Sequence, residues 1–283
     1  MPHQLAHHAY GKHRVRVSKI KRPRRGAAST ERHELIEAAV DIELEGGFAP
    51  AYTDGDNASI VATDTCKNTV YALAKDDPFD TIESFGRTLA EHFVSTYDHI
   101  TRAGVTLHQH SWARLLDCPH AFTGSDAETP TARVVAQRGA PTRVEAGVTG
   151  LMIAKTTESG FSGFHRDAFR TLPDTDDRIF ATELTASWVY ADQEVDFVAS
   201  RSAIRKAMLA RFIDHYSESV QQTLWLMGQA ALDACDAATS ITLTMPNKHH
   251  LLFNLAPLGR ENDNEVFVST DEPFGWITGT VTR

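Results

Sequence analysis

Four stretches of this chain concentrate residue types that can bind, polarise or move protons. Residues 245–250 read MPNKHH, 10–16 read YGKHRVR, 61–75 read VATDTCKNTVYALAK, and 156–182 read TTESGFSGFHRDAFRTLPDTDDRIFAT. Each has a plain reading beside a chemical one. Lys12 follows a glycine at a strand start. It is either an exposed cation or an amine taken out of water, which holds its proton less tightly and can act as a base. Thr63, Asp64 and Thr65 suit the N-cap of a helix. A helix start also offers free N–H groups to an anionic or carbonyl-bearing ligand. Gly160, Phe161 and Gly163, with Arg178 opening a strand, read as an ordinary loop with a core phenylalanine. The chemical reading is an aromatic face for a planar ligand and a guanidinium that binds it bidentately. MPNKHH is a metal-binding corner, a polar loop or one end of an acid–base relay. Its two histidines make a poor metal site, because neighbours along a strand point to opposite faces. His108 and His110 share a face, yet no cysteine or HExxH pattern supports them.

The elements that must position these residues follow from periodicity. Residues 12–20 and 33–45 alternate enough to predict two strands, joined by the basic run KIKRPRRG (19–26) as a solvated hairpin loop. SIVAT (59–63) reads as a third short strand, with a helix starting just after it. Ile82, Phe85, Leu89, Phe93, Tyr97 and Ile100 recur at helical spacing. Residues 105–115 return to period 2, with Val105, Leu107 and Ala113 on one side and His108, His110, Trp112 and Arg114 on the other. The second half repeats this order. Strands are expected at 149–156 and 178–191, then a helical region over about 200–236, broken near Ser217–Ser219 because serine favours caps. Strands follow at 239–245 and 249–254. Strands, helices and strands, twice over, predict an α+β chain of two tandem domains, residues 1–140 and 141–283, with the seam in the turn-rich stretch 125–148. The alternation fits sheets with helices on one face and a wet channel on the other. One half alone is too short to close a wide barrel, so oligomerisation would complete it.

Composition narrows the function classes. With 283 residues and 42% hydrophobic content, the chain can bury a large core. A net charge of −9 counts against nucleic-acid binding, which needs concentrated Lys and Arg. Cys66, Cys118 and Cys235 are widely spaced and lack a CxxC, which disfavours a disulfide framework or a Cys-rich zinc site and fits a reducing compartment. The N-terminal MPHQLAHHAYGK has no apolar signal core, and no stretch approaches the ~20 apolar residues that span a bilayer. A soluble, cytoplasmic protein with no membrane partner is expected.

Taken in order, YGKHRVR, VATDTCKNTVYALAK, HSWARL, SGFSGFHRDAFRTLPDTDDRIFAT, SVQQTL and MPNKHH run through nearly the whole chain and resemble the urate oxidase (uricase) family. The resemblance implies two tandem tunnelling-fold (T-fold) domains, antiparallel sheets with helices on the outer face, and a homotetramer enclosing a tunnel. It implies oxidation of urate by O2 and water to 5-hydroxyisourate and hydrogen peroxide, without metal or organic cofactor, at sites on subunit interfaces. Carried onto this sequence, Lys12, Thr63 and His249 match the proton-relay triad, with Lys12 as base acting through Thr63. Asn247 and Thr63 match the site taken in turn by O2 and water. Arg178 and Gln221 match the clamp on urate, Phe161 stacks on its ring, Asp64 and Val220 give backbone contacts, and Ile277 holds a pocket position. Thr63 and Asp64 would come from the neighbouring subunit, and His250 would be structural. The sequence also departs from the family. TGTVTR lacks a peroxisomal SKL-type tripeptide, which points to a bacterial member. Arg170 stands in FRTL where relatives often have a second threonine, and Ala154 replaces a larger apolar residue. Two other readings stand beside this one. A metal-dependent purine or pterin enzyme on the same fold would need a Cys/His cluster that the sequence lacks. An inactive purine-binding protein would be favoured by an altered Lys12, Thr63 or His249, and all three are present.

Overall fold

The computed structural model describes residues 3–22, 31–191 and 194–283. The chain divides into two compact units, one formed by residues up to Gly147 with Val189–Phe197, the other by Val148–Trp188 with Val198–Arg283.

The first unit contains β1 (Tyr10–Lys21), β2 (Glu34–Gly46), α1 (Ala49–Thr53), α2 (Thr63–Asp76), α3 (Ile82–Thr96), β3 (Ile100–Arg114), β4 (Phe122–Ser125), β5 (Thr129–Gln137) and the start of β6 (Ala140–Lys155). Strands β1, β2, β3 and β5 pair antiparallel in that order, and β4 pairs with the end of β3. Alternate residues of β2 and β3 (Ala38, Val40, Ile42 and Leu44; Ala103, Val105 and Leu107) are fully buried, as are Phe85, Leu89 and Phe93 of α3. Helix α3 packs on β3 and β5, and α2 on β1. A reciprocal capping box starts α3: Thr81 Oγ1 accepts from Ser84 N (3.1 Å) and Ser84 Oγ from Thr81 N (3.3 Å).

The second unit contains the rest of β6, β7 (Phe180–Tyr190), α4 (Phe197–Ile213), α5 (Val220–Asp233), β8 (Ala238–Thr244), β9 (Asn247–Leu252), a 3-10 turn (Ala256–Leu258), β10 (Phe267–Gly275) and β11 (Thr278–Thr282). Strands β8 and β11 pair antiparallel, as do β9 and β10; β9 also pairs with the start of β7. Leu184, Ala186 and Trp188 of β7 and Ile241 and Leu243 of β8 are buried, with Leu224, Met227 and Ala231 of α5. Helix α5 packs on β8 and β11. The expected helix break is there: α4 ends at Ile213 and Ser219 caps α5.

Four expectations need correction. Residues 59–62 are not a strand. The Ile60 N–H closes a turn onto Asn57 O, and the Val61 N–H goes to the Tyr10 hydroxyl, so neither can join a ladder. Ile100 opens β3 instead of ending a helix. The stretch 125–148 is mostly strand: its polar residues read as turns, but Ala132, Val134 and Ala136 alternate into the core. Of the basic run 19–26, Lys19–Lys21 continue β1, and residues 23–26 lie outside the described residues.

Candidate active site

The second unit holds a cavity of about 290 Å³. Phe161, Arg178, Val220, Gln221, Asn247, His249 and Ile277 all line it. They come from the β6–β7 loop, the approach to β7, the first turn of α5, the start of β9 and the β10–β11 connection.

The loop residues are fixed by backbone pairing. Phe161 and Thr175 exchange hydrogen bonds at 2.7 and 3.0 Å, while Gly160 N donates to Ser217 O at 2.8 Å. Arg178 N donates to Ser159 O (2.8 Å) and its Nε–H to Gly160 O (3.1 Å). Phe161 and Arg178 are therefore held by one three-residue segment. Gly160 cannot be larger, since a Cβ there would lie 2.2 Å from the Tyr216 hydroxyl, which is anchored on Asp176 O at 2.6 Å. The Arg178 guanidinium is half-buried, and burial pushes its pKa below the usual arginine value. Arginine has ample reserve and stays charged. The guanidinium carbon lies 5.5 Å from the Phe161 and 5.8 Å from the Phe180 centroid, while its two terminal nitrogens make no hydrogen bond among the described residues and remain for a ligand.

The start of α5 is a second binding element. Ser219 Oγ accepts from Gln222 N at 3.1 Å, and Gln222 Oε1 accepts from Glu218 N at 2.9 Å. That cap leaves the N–H groups of Val220 and Gln221 without acceptors among the described residues. A helix start of this kind favours an anion. The Gln221 carboxamide is exposed and also has no side-chain partner there.

On β9, Asn247 and His249 share a face. The Asn247 side-chain amide nitrogen lies 3.3 Å from His249 Nδ1, and an amide N–H donated there requires the tautomer with its hydrogen on Nε2. Lys248, between them, sits near Glu183 (3.5 Å) and Asp271 (3.7 Å). His250 Nδ1 lies 3.3 Å from Lys248 O. No three His, Cys, Asp or Glu side chains among the described residues are placed to hold a metal ion.

Lys12, Thr63 and Asp64 belong to the first unit and do not line this cavity. Lys12 is half-buried on β1 opposite Ile42, next to a register shift. Gly11 lets the strand lie there, because a Cβ would meet Ile42 O at 1.8 Å. Tyr10 Oη accepts from Val61 N at 2.7 Å, which ties the strand start to the segment just before Thr63. Burial pushes the Tyr10 phenol up to about 12, so it stays protonated. The capping expectation fails: Ala62 is the cap residue, with extended backbone (φ −53°, ψ 138°), no side chain caps the helix, and Thr63 and Asp64 are its first two residues. Both are exposed, and the Thr63 hydroxyl has no partner among the described residues. Asp64 accepts from Lys67 and from Asn68 Nδ2 (3.0 Å). Lys67 above all, with a smaller contribution from Lys12, holds its carboxyl below the usual range. The Lys12 charge is felt at Cys66 too, so Lys12 and the α2 start form one neighbourhood.

The sequence reading missed Leu172, Pro173 and Thr175, which also line the cavity. It also missed Tyr10 and Tyr216, whose hydroxyls hold the backbone on which the candidate residues sit.

Comparison with known proteins points one way. The sequence matches the family model for uricase over residues 8–135 and 144–278. It is 41% identical to the uricase of Arthrobacter globiformis, over 99% of this chain and 90% of that protein. It is 35% identical to the uricase of Dictyostelium discoideum, over 99% of this chain and 97% of that one. The crystal structure of the Arthrobacter globiformis uricase superposes with a TM-score of 0.95 at 40% identity, covering 100% of this chain and 96% of that one. The fold is thus the α+β, tandem T-fold arrangement, and the chain belongs to the uricase family.

Proposed function

We propose that the protein is a urate oxidase, an oxidoreductase that uses O2 as acceptor and needs neither metal nor organic cofactor. The observation that carries this reading is the gathering of Phe161, Arg178, Val220, Gln221, Asn247, His249 and Ile277 around one cavity. Urate is planar, anionic and rich in amide-like edges. The free end of Arg178 suits one edge of it, Gln221 the other, and Phe161 its face. The Val220 N–H and the α5 dipole add to the attraction of the anion.

The reaction takes two electrons from urate to O2, adds a hydroxyl from water to the purine and releases hydrogen peroxide. Triplet O2 reacts sluggishly with singlet molecules. An electron-rich urate dianion can donate an electron directly, so the enzyme must supply a base, a confined O2 position and a poised water. In this reading Lys12 draws the proton through Thr63. Asn247 and Thr63 hold O2 and then water, and His249 moves protons from its place beside Asn247. Lys12, Thr63 and Asp64 of one copy complete the cavity of another, within a homotetramer. Two features support this: these residues do not line the cavity, and the Thr63 hydroxyl is exposed. Leu251, Val268 and Trp276 of the second unit also expose apolar surface of the kind that association covers. A bacterial, cytoplasmic setting belongs to the same proposal, since three free cysteines suit a reducing compartment. Among the described residues no helix is long and apolar enough to cross a membrane.

The test is direct. Chelator-treated protein is given urate in air, and urate absorbance, dissolved O2 and peroxide are followed together. Matched loss of urate and O2 with peroxide formation is expected. Turnover that needs added metal, or binding without turnover, would overturn the cofactor-free assignment. Specific activity should also fall on dilution below the assembly constant.

A further inference from the structure

We propose that Phe164 and Arg170 are positioning residues that set the place and plane of the Phe161 ring, and with it the affinity for a planar anion; this rests on the urate reading above. The rings of Phe161 and Phe164 stack with centroids 4.6 Å apart and planes 10° from parallel. The guanidinium carbon of Arg170 lies 4.6 Å from the Phe164 centroid. One ring face cannot take both neighbours at that distance, so Phe164 is sandwiched between them. Phe164 in turn occupies one face of Phe161, and the Arg178 guanidinium carbon lies 5.5 Å from the Phe161 centroid, so a flat ligand meets Phe161 on the side away from Phe164, in company with Arg178.

The column is closed at its far end. Arg170 Nη2 donates to Asp174 Oδ1 at 2.8 Å, and Arg166 Nη2 to Asp174 Oδ2 at 3.0 Å. Asp174 precedes Thr175, whose backbone exchanges both hydrogen bonds with Phe161. The contacts therefore run in a ring from Phe161 through Phe164, Arg170, Asp174 and Thr175 back to Phe161. The segment inside the ring carries Leu172 and Pro173, which line the cavity. Elsewhere the same loop is exposed, with Phe169 at 91%. No large core fixes it, so the stack and the Asp174 bridges must. The Arg170 Nε is buried without a hydrogen-bond partner. That suits a guanidinium held for its flat face. A lysine has the charge but no plane to stack.

Stacking on Phe161 acts on the bound ground state and the transition state alike, so loosening it should raise KM and leave kcat nearly alone. The experiment compares Phe164→Leu, Phe164→Tyr, Arg170→Met and Arg170→Lys by kcat, KM, Tm and anaerobic urate binding. Phe164→Leu and Arg170→Met should raise KM and the anaerobic Kd together by roughly 3- to 10-fold, the range a stacked aromatic pair is worth. Phe164→Tyr, which keeps the plane, should restore wild-type affinity, and Arg170→Lys should not. The double variant Phe164→Leu/Arg170→Met should be little worse than either single one, because both break the same column. Three results would overturn the proposal: unchanged affinity in both single variants, a fall in Tm with KM unmoved, or an Arg170→Lys variant that binds like wild type. Failure of the wild-type protein to bind urate would instead overturn the urate reading itself.

Discussion

The Nε–H of Arg178 donates to the carbonyl of Gly160 at 3.1 Å, one residue before Phe161. A guanidinium and an aromatic ring that are far apart in sequence thus share one anchor, with Arg178 Cζ 5.5 Å from the Phe161 centroid. The bond turns the Arg178 fork to a fixed angle and leaves its terminal pair for a planar ligand. Arg178→Lys keeps the charge and loses the fork. It should lower kcat/KM for urate by roughly 10- to 100-fold, the worth of one charge-assisted bond of about 1.5–3 kcal/mol. Most of the loss should appear in KM. Steady-state kinetics check this; a variant within twofold of wild type would remove Arg178 from the clamp.

Gly160 supports both partners. In Gly160→Ala the new methyl meets the Tyr216 hydroxyl at 2.2 Å and Thr175 O at 3.0 Å. Overpacking of this kind costs about 1–3 kcal/mol. The variant should lose stability in urea unfolding and weaken urate binding, because the displaced segment carries Phe161. Adding Tyr216→Phe removes the nearest clashing atom and should restore part of both losses. No recovery in the double variant would place the strain elsewhere.

Lys12 and the clamp lie in different units, so their defects should separate. Lys12→Met should reduce kcat by roughly 10²- to 10⁴-fold, the usual contribution of a positioned base. Anaerobic urate affinity should change little. Near-normal turnover would take Lys12 out of the base role.

The candidate residues that line the cavity were legible because their types are unusual in combination. A fork, a carboxamide, an aromatic face and an Asn–x–His strand end occur in blocks whose order resembles one family. The residues that aim them were not legible. Tyr10 holds Val61, and Tyr216 sits against Gly160, through hydroxyl-to-backbone bonds and contacts across the fold that leave no local pattern. The same tertiary bond explains the false strand at 59–63: β-branched residues suggested a ladder, but the Val61 donor was already committed. Three good cap residues in a row, Thr63, Asp64 and Thr65, all lost to Ala62, because the chain turns into the helix one residue earlier. Strand β5 lies in the stretch expected to be turn-rich, because four of its nine residues are polar. Its pairing with β3 is what defines it.

Tyr10 yields its own expectation. In Tyr10→Phe the buried Val61 N–H loses its acceptor, which costs about 1–3 kcal/mol. The segment leading to Thr63 is then released. Because Thr63 and Lys12 are assigned to proton removal, kcat should fall more than KM rises, and Tm should drop. A fall in Tm with kcat unchanged would show that this bond holds the fold and not the relay.

Stability against pH tests two half-buried histidines. His215 has Nδ1 at 2.6 Å from Arg211 O and Nε2 at 2.9 Å from Thr223 Oγ1, below the segment that carries Val220 and Gln221. Burial first, then the charges of Lys155 and Arg211, push its pKa below the usual histidine value; the Arg211 carbonyl and Asp214 pull the other way and do not cancel this. Burial alone does the same to His92. Both rings are therefore neutral in the folded chain at a pH where the unfolded chain, titrating near 6.5, is already taking up protons. The unfolded state binds more protons in that window, so unfolding free energy rises with pH there. The contribution is complete above the unfolded value and is lost as pH falls from about 6.5 through the folded values. Urea unfolding at fixed protein concentration over pH 5 to 8 should show wild type losing more stability on acidification than His92→Gln/His215→Gln. A flat difference curve would mean that folding leaves the proton affinity of these rings unchanged, and the opposite slope that folding favours their charged form; either would overturn this expectation.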